Sequence, residues 1–462
     1  MTDTLWTLSE LAAITGGELV GADPDTPVTG MSIDTRTLQP GDAFFAIKGV
    51  SMDGHRFVPD ALEKGAAVAV VSEGEAERAL GVADVLQALE AVGVAARGRL
   101  PHHVPVIAVT GSAGKTGTKE MMRLAFGVAG SVHASAASYN NHWGVPLSLA
   151  RTPASAEAAV FEIGMNHAGE IRPLTKMVRP TIAVITTVEA AHLEFFDSVA
   201  AIADAKAEIF EGLEPDGTAI LPADNAHIGR LMAAAKAVGA HIVTFGTGED
   251  ADVRLLSHDA GGVVADVFGT HLDYRLAEPG LHVAKNSLAV IAALYIAGFD
   301  IPEGAAALAA WRAPKGRGRQ VRLRPGGGDA LLLDDAFNAN PAAMAAAIAT
   351  FAKVPATRRI AILGDMLELG PTAEDLHRGL APLLVDADTR IVHTVGTMTK
   401  HLRDALPFEL RGHHADTAAE LIEHLDPIEV GDVVLVKASK AMGLSAVVEA
   451  IETRYGLDRA DV

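Results

Sequence analysis

Residues 110–120 read TGSAGKTGTKE. A glycine turn followed by Lys-Thr suits an anion. Backbone N–H groups close on phosphate oxygens where no Cβ intervenes, and a helix N-terminus adds its dipole. Lysine supplies a point charge and threonine a hydroxyl for a hard divalent cation. The common phosphate loop has a longer spacer before its Gly-Lys pair; here only Ser112 and Ala113 separate Gly111 from Gly114. At Gly111 and Gly114 the backbone could approach phosphate oxygens and cradle them, with Lys115 on the β/γ-phosphates and Thr116 on Mg²⁺; the alternative is a glycine turn that happens to precede Lys-Thr.

Three other segments carry partners for such chemistry. Glu162 ends an apolar run in FEIGMNHAGEI, His192 follows another in TTVEAAHLEFF, and Lys206 sits in AIADAKAEIFEGL. Each alone has an ordinary explanation. A histidine near a strand end is more often a surface or core residue, and a lysine on an amphipathic helix is usually solvated. What singles out Glu162 and His192 is their place at the carboxyl ends of apolar runs, where parallel sheets open onto ligands.

The positioning elements are legible as alternating patterns. The runs 104–111, 158–164, 181–188 and 218–224 read as buried strands, with helical stretches between them and a closing helix from near His282 to Gly298. That alternation argues for a mostly parallel sheet covered by helices. Upstream, 41–49 and 66–72 read as short strands and 79–100 as a helix. Downstream, the basic and then glycine-rich 311–330 reads as a linker. The runs 330–337, 358–365, 390–396 and 432–439 then form a second doubly wound unit. The expectation is an α/β chain of three domains. A small mixed N-terminal domain spans 1–85, a central phosphate-loop domain 86–312, and a C-terminal Rossmann-like domain 313–462.

Bulk properties exclude several classes. The 462 residues contain no cysteine, so disulfides, thiolate metal sites and cysteine nucleophiles are out. The formal net charge of −20 disfavours a nucleic-acid backbone as partner. The longest apolar run, Leu288 to Phe299, is short against the ~20 residues of a membrane-spanning helix. The opening MTDTLWTLSELAAITGG carries Asp3 and Glu10 and reads as a small helix, not a leader. A cytoplasmic monomer is expected.

Further motifs run nearly the whole length: SIDTRTLQPGDAFFAIKG, DGHRFV, YNNHWGVPLSL, LHVAKNSLAV, KGRGRQ, DDAFNANPAAM, ILGDMLELG and LVKASKAMG. With the cradle and its partners they resemble the Mur ligase family. DDAFNANP and LGDMLELG resemble in particular the members that add D-alanyl-D-alanine to UDP-N-acetylmuramoyl-tripeptide. The resemblance implies ATP-dependent amide ligation through an acyl phosphate, in peptidoglycan precursor synthesis.

The resemblance also implies roles. Gly111, Ser112, Ala113, Gly114, Lys115, Thr116 and Gly117 would hold the ATP phosphates. Thr116, Glu162 and His192 would serve two Mg²⁺ positions, and Lys206 would act as a carbamylated metal ligand. Lys115, His192 and Lys206 make the catalytic set. His282 and Asn286 would lie near adenine, and Arg317 and Asp335 would complete the nucleotide site from across the hinge. Asn140 and Asn141 would face the UDP-sugar-peptide, with Thr35, Arg36 and Lys48 at its uridine end. The chain departs from the usual pattern at Val283, at Gly117, at Ala336-Phe337 and in KASK, each touching a single contact. The rival readings are the ligase adding the third peptide residue, a folate polyglutamate ligase, and a non-catalytic ATP-binding scaffold. A scaffold would need a broken metal set, and Thr116, Glu162, His192 and Lys206 are all present.

Overall fold

Alternating buried strands and half-buried helices build three main sheets in succession, beside a two-stranded one of Trp6–Thr7 and Pro27–Val28. The computed structural model describes residues 4–456 except 50, 51, 75, 137, 192, 260 and 279. In the N-terminal part, a five-stranded sheet runs in the order Glu18–Val20, Ala79–Gly81, Val68–Val71, Asp42–Phe45, Gly30–Ser32. The expected small helix is Leu8–Thr15, closed by a capping box in which Thr7 and Glu10 satisfy each other's backbone N–H.

The stretch 79–100 is not one helix. Ala79–Gly81 is a strand parallel to Val68–Val71, and the helix is Val85–Arg99. Asp84 decides the start, since its side chain accepts the Gln87 N–H as an N-cap. This helix buries Val85, Leu89 and Val92 in the N-terminal core. It also packs on the helix Gly144–Ala150, joining the first unit to the second.

The central sheet has nine strands. Val106–Thr110 lies between Ala158–Glu162 and Ile182–Ile185, all parallel, so three strand ends open side by side. The far edge holds strands that sequence patterning did not separate: Gly262–Val267 and Thr270–Arg275 run antiparallel next to Val253–Asp259. The helix Leu281–Ala297 carries the longest apolar run. Its residues 288–294 are buried in one core with Met121 and Phe126 of the helix Lys115–Phe126. Among the described residues no helix is long and apolar enough to cross a membrane.

The C-terminal sheet has six strands in the order Arg319–Leu323, Ala330–Asp335, Asp432–Lys437, Arg358–Gly364, Ile391–Val395, Arg411–Ala415. The first pair is antiparallel and the others are parallel. The stretch read as a linker thus contributes an edge strand. Its charge hid it from apolar patterning, and charged residues suit a sheet edge. Arg319 is paired with Asp334 and Glu452.

Candidate active site

The cradle begins where Val106–Thr110, buried throughout, meets Gly111. Gly111 has φ 151°, and a Cβ there would collide with the Thr186 hydroxyl. Gly114 has φ 81°, and a Cβ would lie 2.5 Å from Asn286 Nδ2. Both positions therefore need glycine. Between them the loop is wired to the neighbouring strand's exit. Ser112 N–H donates to Thr187 O at 2.9 Å, and Ser112 Oγ donates to Glu189 O at 3.0 Å. Gly114 caps the helix Lys115–Phe126, whose first N–H groups face the loop.

Lys115 Nζ donates to Gly111 O at 2.6 Å, folded back across the loop. Burial pulls its pKa down, Glu162 acts to raise it, and Arg317 lowers it further. Thr116 Oγ1 donates to Glu162 Oε2 at 2.7 Å, and Asn140 Nδ2 donates to Glu162 Oε1 at 2.7 Å. Glu162 is 1% exposed. Carboxylate and hydroxyl oxygens at a buried strand end are a donor set that fits Mg²⁺, which takes oxygen ligands and keeps several waters.

Lys206, on the helix Val199–Ala207, is 2% exposed and has no side-chain hydrogen bond or ion pair among the described residues. Burial holds its pKa well below the usual lysine range, and the Lys115 charge adds to the effect. His192 lies outside the described residues.

A cavity of about 400 Å³ opens beside the cradle, between the central and C-terminal sheets. Gly114, Gly117, His282, Asn286, Arg317 and Asp335 all line it, so residues up to 221 positions apart meet (335 − 114). Arg317 reaches across to donate to Ser138 Oγ at 2.7 Å and stacks on Phe337 at 4.1 Å. Asp335 has its pKa raised by burial and restrained by Lys437, whose Nζ is 2.6 Å from Asp335 Oδ2. His282 has its pKa lowered by partial desolvation at the cavity wall, with Asp335 acting to raise it.

The N-terminal candidates do not join this cavity. Arg36 forks onto Asp34 at 2.6 Å, Lys48 pairs with Glu73 at 3.0 Å, and the Thr35 carbonyl accepts from Lys64 Nζ at 3.0 Å. Asn141 Oδ1 accepts the Gly144 N–H at 2.9 Å, fastening the start of the helix Gly144–Ala150. Lys437, met above only as the first residue of KASK, and Trp311, which was not among the expected site residues, also line the cavity. Lys437 had a signal, as the one charge at the carboxyl end of the apolar strand Asp432–Lys437. Trp311 had none.

The chain is 33% identical over 459 residues to UDP-N-acetylmuramoyl-tripeptide–D-alanyl-D-alanine ligase of Escherichia coli (strain K12), across 96% of the chain and 98% of that relative. The chain belongs to the Mur ligase family. The family's middle domain matches residues 109–294, its glutamate ligase domain 316–440, and its catalytic domain 27–117. The same ligase of Rickettsia prowazekii is 32% identical over 91% of the chain and 94% of its own length. Among solved structures, MurF of Acinetobacter baumannii aligns with TM-score 0.83 at 29% identity, over 97% of the chain and 99% of its own. MurF of Thermotoga maritima, solved with ADP, aligns with TM-score 0.76 at 25% identity, over 92% and 97%. This Mur ligase is an ATP-dependent amide-bond ligase with the three-sheet architecture just described.

Proposed function

We propose that this enzyme joins D-alanyl-D-alanine to the terminal carboxylate of UDP-N-acetylmuramoyl-tripeptide, consuming ATP and building the pentapeptide precursor of peptidoglycan. One observation carries the reading: a glycine cradle with Lys115, Thr116 and Glu162 opens onto a cavity closed by Arg317 and Asp335 from the other sheet. The relatives that match over nearly the whole chain bear this activity in their names, which supports the choice of substrates.

A carboxylate is a poor electrophile for an amine. Its oxygen attacks the γ-phosphorus of ATP, the bond to the β-phosphate oxygen breaks, and ADP leaves. The free amine of D-alanyl-D-alanine then attacks the acyl phosphate carbon. The tetrahedral species loses phosphate and a proton to leave the amide.

The first step brings anion to anion. The N–H groups of residues 113–116 and the Lys115 ammonium oppose that repulsion. Thr116 and Glu162, with His192 and a carbamylated Lys206, would hold Mg²⁺, which neutralises charge on the β- and γ-phosphates when bound. Burial without an acidic partner fits a lysine that carries a carbamate, since an ammonium there would repel a cation. Mass spectrometry under bicarbonate, or a ¹³C-carbamate signal, tests that assignment. His282 and Asn286 line the adenosine side. Arg317 and Asp335 close the site and keep water from the acyl phosphate.

Asn140 and Asn141 face the sugar-peptide, and Thr35, Arg36 and Lys48 its uridine end, with the three proposed units 1–85, 86–312 and 313–462 closing around both substrates. The reaction belongs in the cytoplasm, where ATP is made, and one chain holds every residue named. The test is phosphate release with purified UDP-linked tripeptide, D-alanyl-D-alanine and ATP, each omitted in turn. Release should need all three and yield the pentapeptide. Turnover with a single amino acid and the UDP-linked dipeptide instead would overturn the reading.

A further inference from the structure

The C-terminal sheet holds a second cavity on its opposite face. Leu333 and Leu435 line the nucleotide cavity, whereas Ile360, Ile362 and Val434 point the other way into a hole of about 170 Å³. Ile451, from the helix Ser445–Tyr455, roofs it. These four apolar walls are each 3% exposed or less. The volume is close to that of an apolar cavity of roughly 150 Å³ known to take benzene.

One end of the hole is polar. His393, on the strand Ile391–Val395, is 1% exposed, and Asp426 sits at the mouth with its side chain 41% exposed. His393 Nδ1 accepts the His413 backbone N–H at 3.1 Å. An amide N–H only donates, so the ring proton of neutral His393 lies on Nε2. Burial drives its pKa down to about 4, which keeps the ring neutral. Nε2 is 3.5 Å from Asp426 Oδ2, too far for a good hydrogen bond. A donor and an acceptor therefore stand side by side at the end of an aliphatic slot, neither satisfying the other. A hydroxyl complements both, accepting from Nε2–H and donating to the carboxylate.

We propose that this cavity binds a small phenol, its ring between Ile360, Ile362 and Ile451 and its hydroxyl bridging His393 Nε2 and Asp426. The Asp426 carboxylate disfavours an acid at the same place. Arg454 at the mouth makes benzoate the control for that point.

The full chain is titrated with phenol, toluene and benzoate by calorimetry, with saturating ADP filling the nucleotide cavity. Phenol should bind one site about ten-fold more tightly than toluene, one net hydrogen bond's worth. Asp426→Ala, at a half-exposed position, should reduce that preference to what the His393 Nε2–H bond alone supplies and leave toluene unchanged. Ile451→Phe, which fills the slot, should weaken both ligands, with thermal unfolding and ligase activity as checks on folding. Nuclear Overhauser contacts should run from the phenol ring to isoleucine methyls. The proposal is overturned if phenol fails to outbind toluene, if Asp426→Ala leaves phenol unchanged, if benzoate binds more tightly than phenol, or if the contacts lie elsewhere.

Discussion

Replacing Lys115 with methionine removes a charge while keeping most of the side-chain volume. Lys115 Nζ is 2.6 Å from Gly111 O, in a desolvated setting. Losing that bond leaves a carbonyl unpaired, at about 1–3 kcal/mol. Removing a desolvated ammonium offsets this, because burying an ion costs several kcal/mol before any partner repays it. The net change in stability should be within about 2 kcal/mol, and the fold should survive.

Catalysis has no such compensation. The charge acts where the γ-phosphoryl group gathers negative charge, and one well-aimed electrostatic contact contributes about 3–4 kcal/mol to that transition state. The rate should therefore fall by a factor of about 10²–10³. Lys115→Arg should recover little, because a planar guanidinium does not fit the short reach to Gly111 O. The assay is continuous phosphate release at saturating substrates, run beside thermal unfolding. A Lys115→Met enzyme within about threefold of the parent rate, with unfolding unchanged, would refute the role of this lysine.

Gly114→Ala places an L side chain at φ 81° against Asn286, so it should lose about 1–2 kcal/mol of stability and most nucleotide binding; urea unfolding and ADP titration check both. Asn141→Asp keeps the oxygen that accepts the Gly144 N–H, so unfolding should be unchanged while KM for the UDP-linked peptide rises, whereas Asn141→Ala should also cost about 1 kcal/mol of stability. His133 is half-buried with Nε2 2.8 Å from Ser148 O, and desolvation draws its pKa from 6.5 to about 4. The folded pKa lies below the unfolded one, so its contribution is complete above pH 6.5 and is lost as pH falls toward 4. Urea midpoints should show about 3 kcal/mol of acid sensitivity by pH 4 that His133→Gln flattens; an unchanged slope would mean the ring is not held neutral.

Local chemistry was readable in the chain itself. The strand before Gly111, the cradle and the carboxylate at Glu162 follow from apolar runs that end in glycine or charge, because parallel strands buried on both faces leave no other pattern. The boundary at Asp84 was also written there, in a capping residue that the helical reading of 79–100 passed over. The edge strand Arg319–Leu323 was not, because an exposed edge needs no apolar alternation to pair.

What the residues themselves determined is the cradle's conformation and charge: no Cβ at Gly111 or Gly114, an ammonium and a hydroxyl next in line. What only the tertiary structure decided is which distant groups share that space. Strand order puts Thr116, Glu162 and Asn140 on one another, and the docking of two sheets brings Arg317 to Ser138 and Asp335 to the cavity wall. The same packing made Lys206 a buried amine instead of a solvated one, since desolvation depends on neighbours that no local pattern of residues specifies.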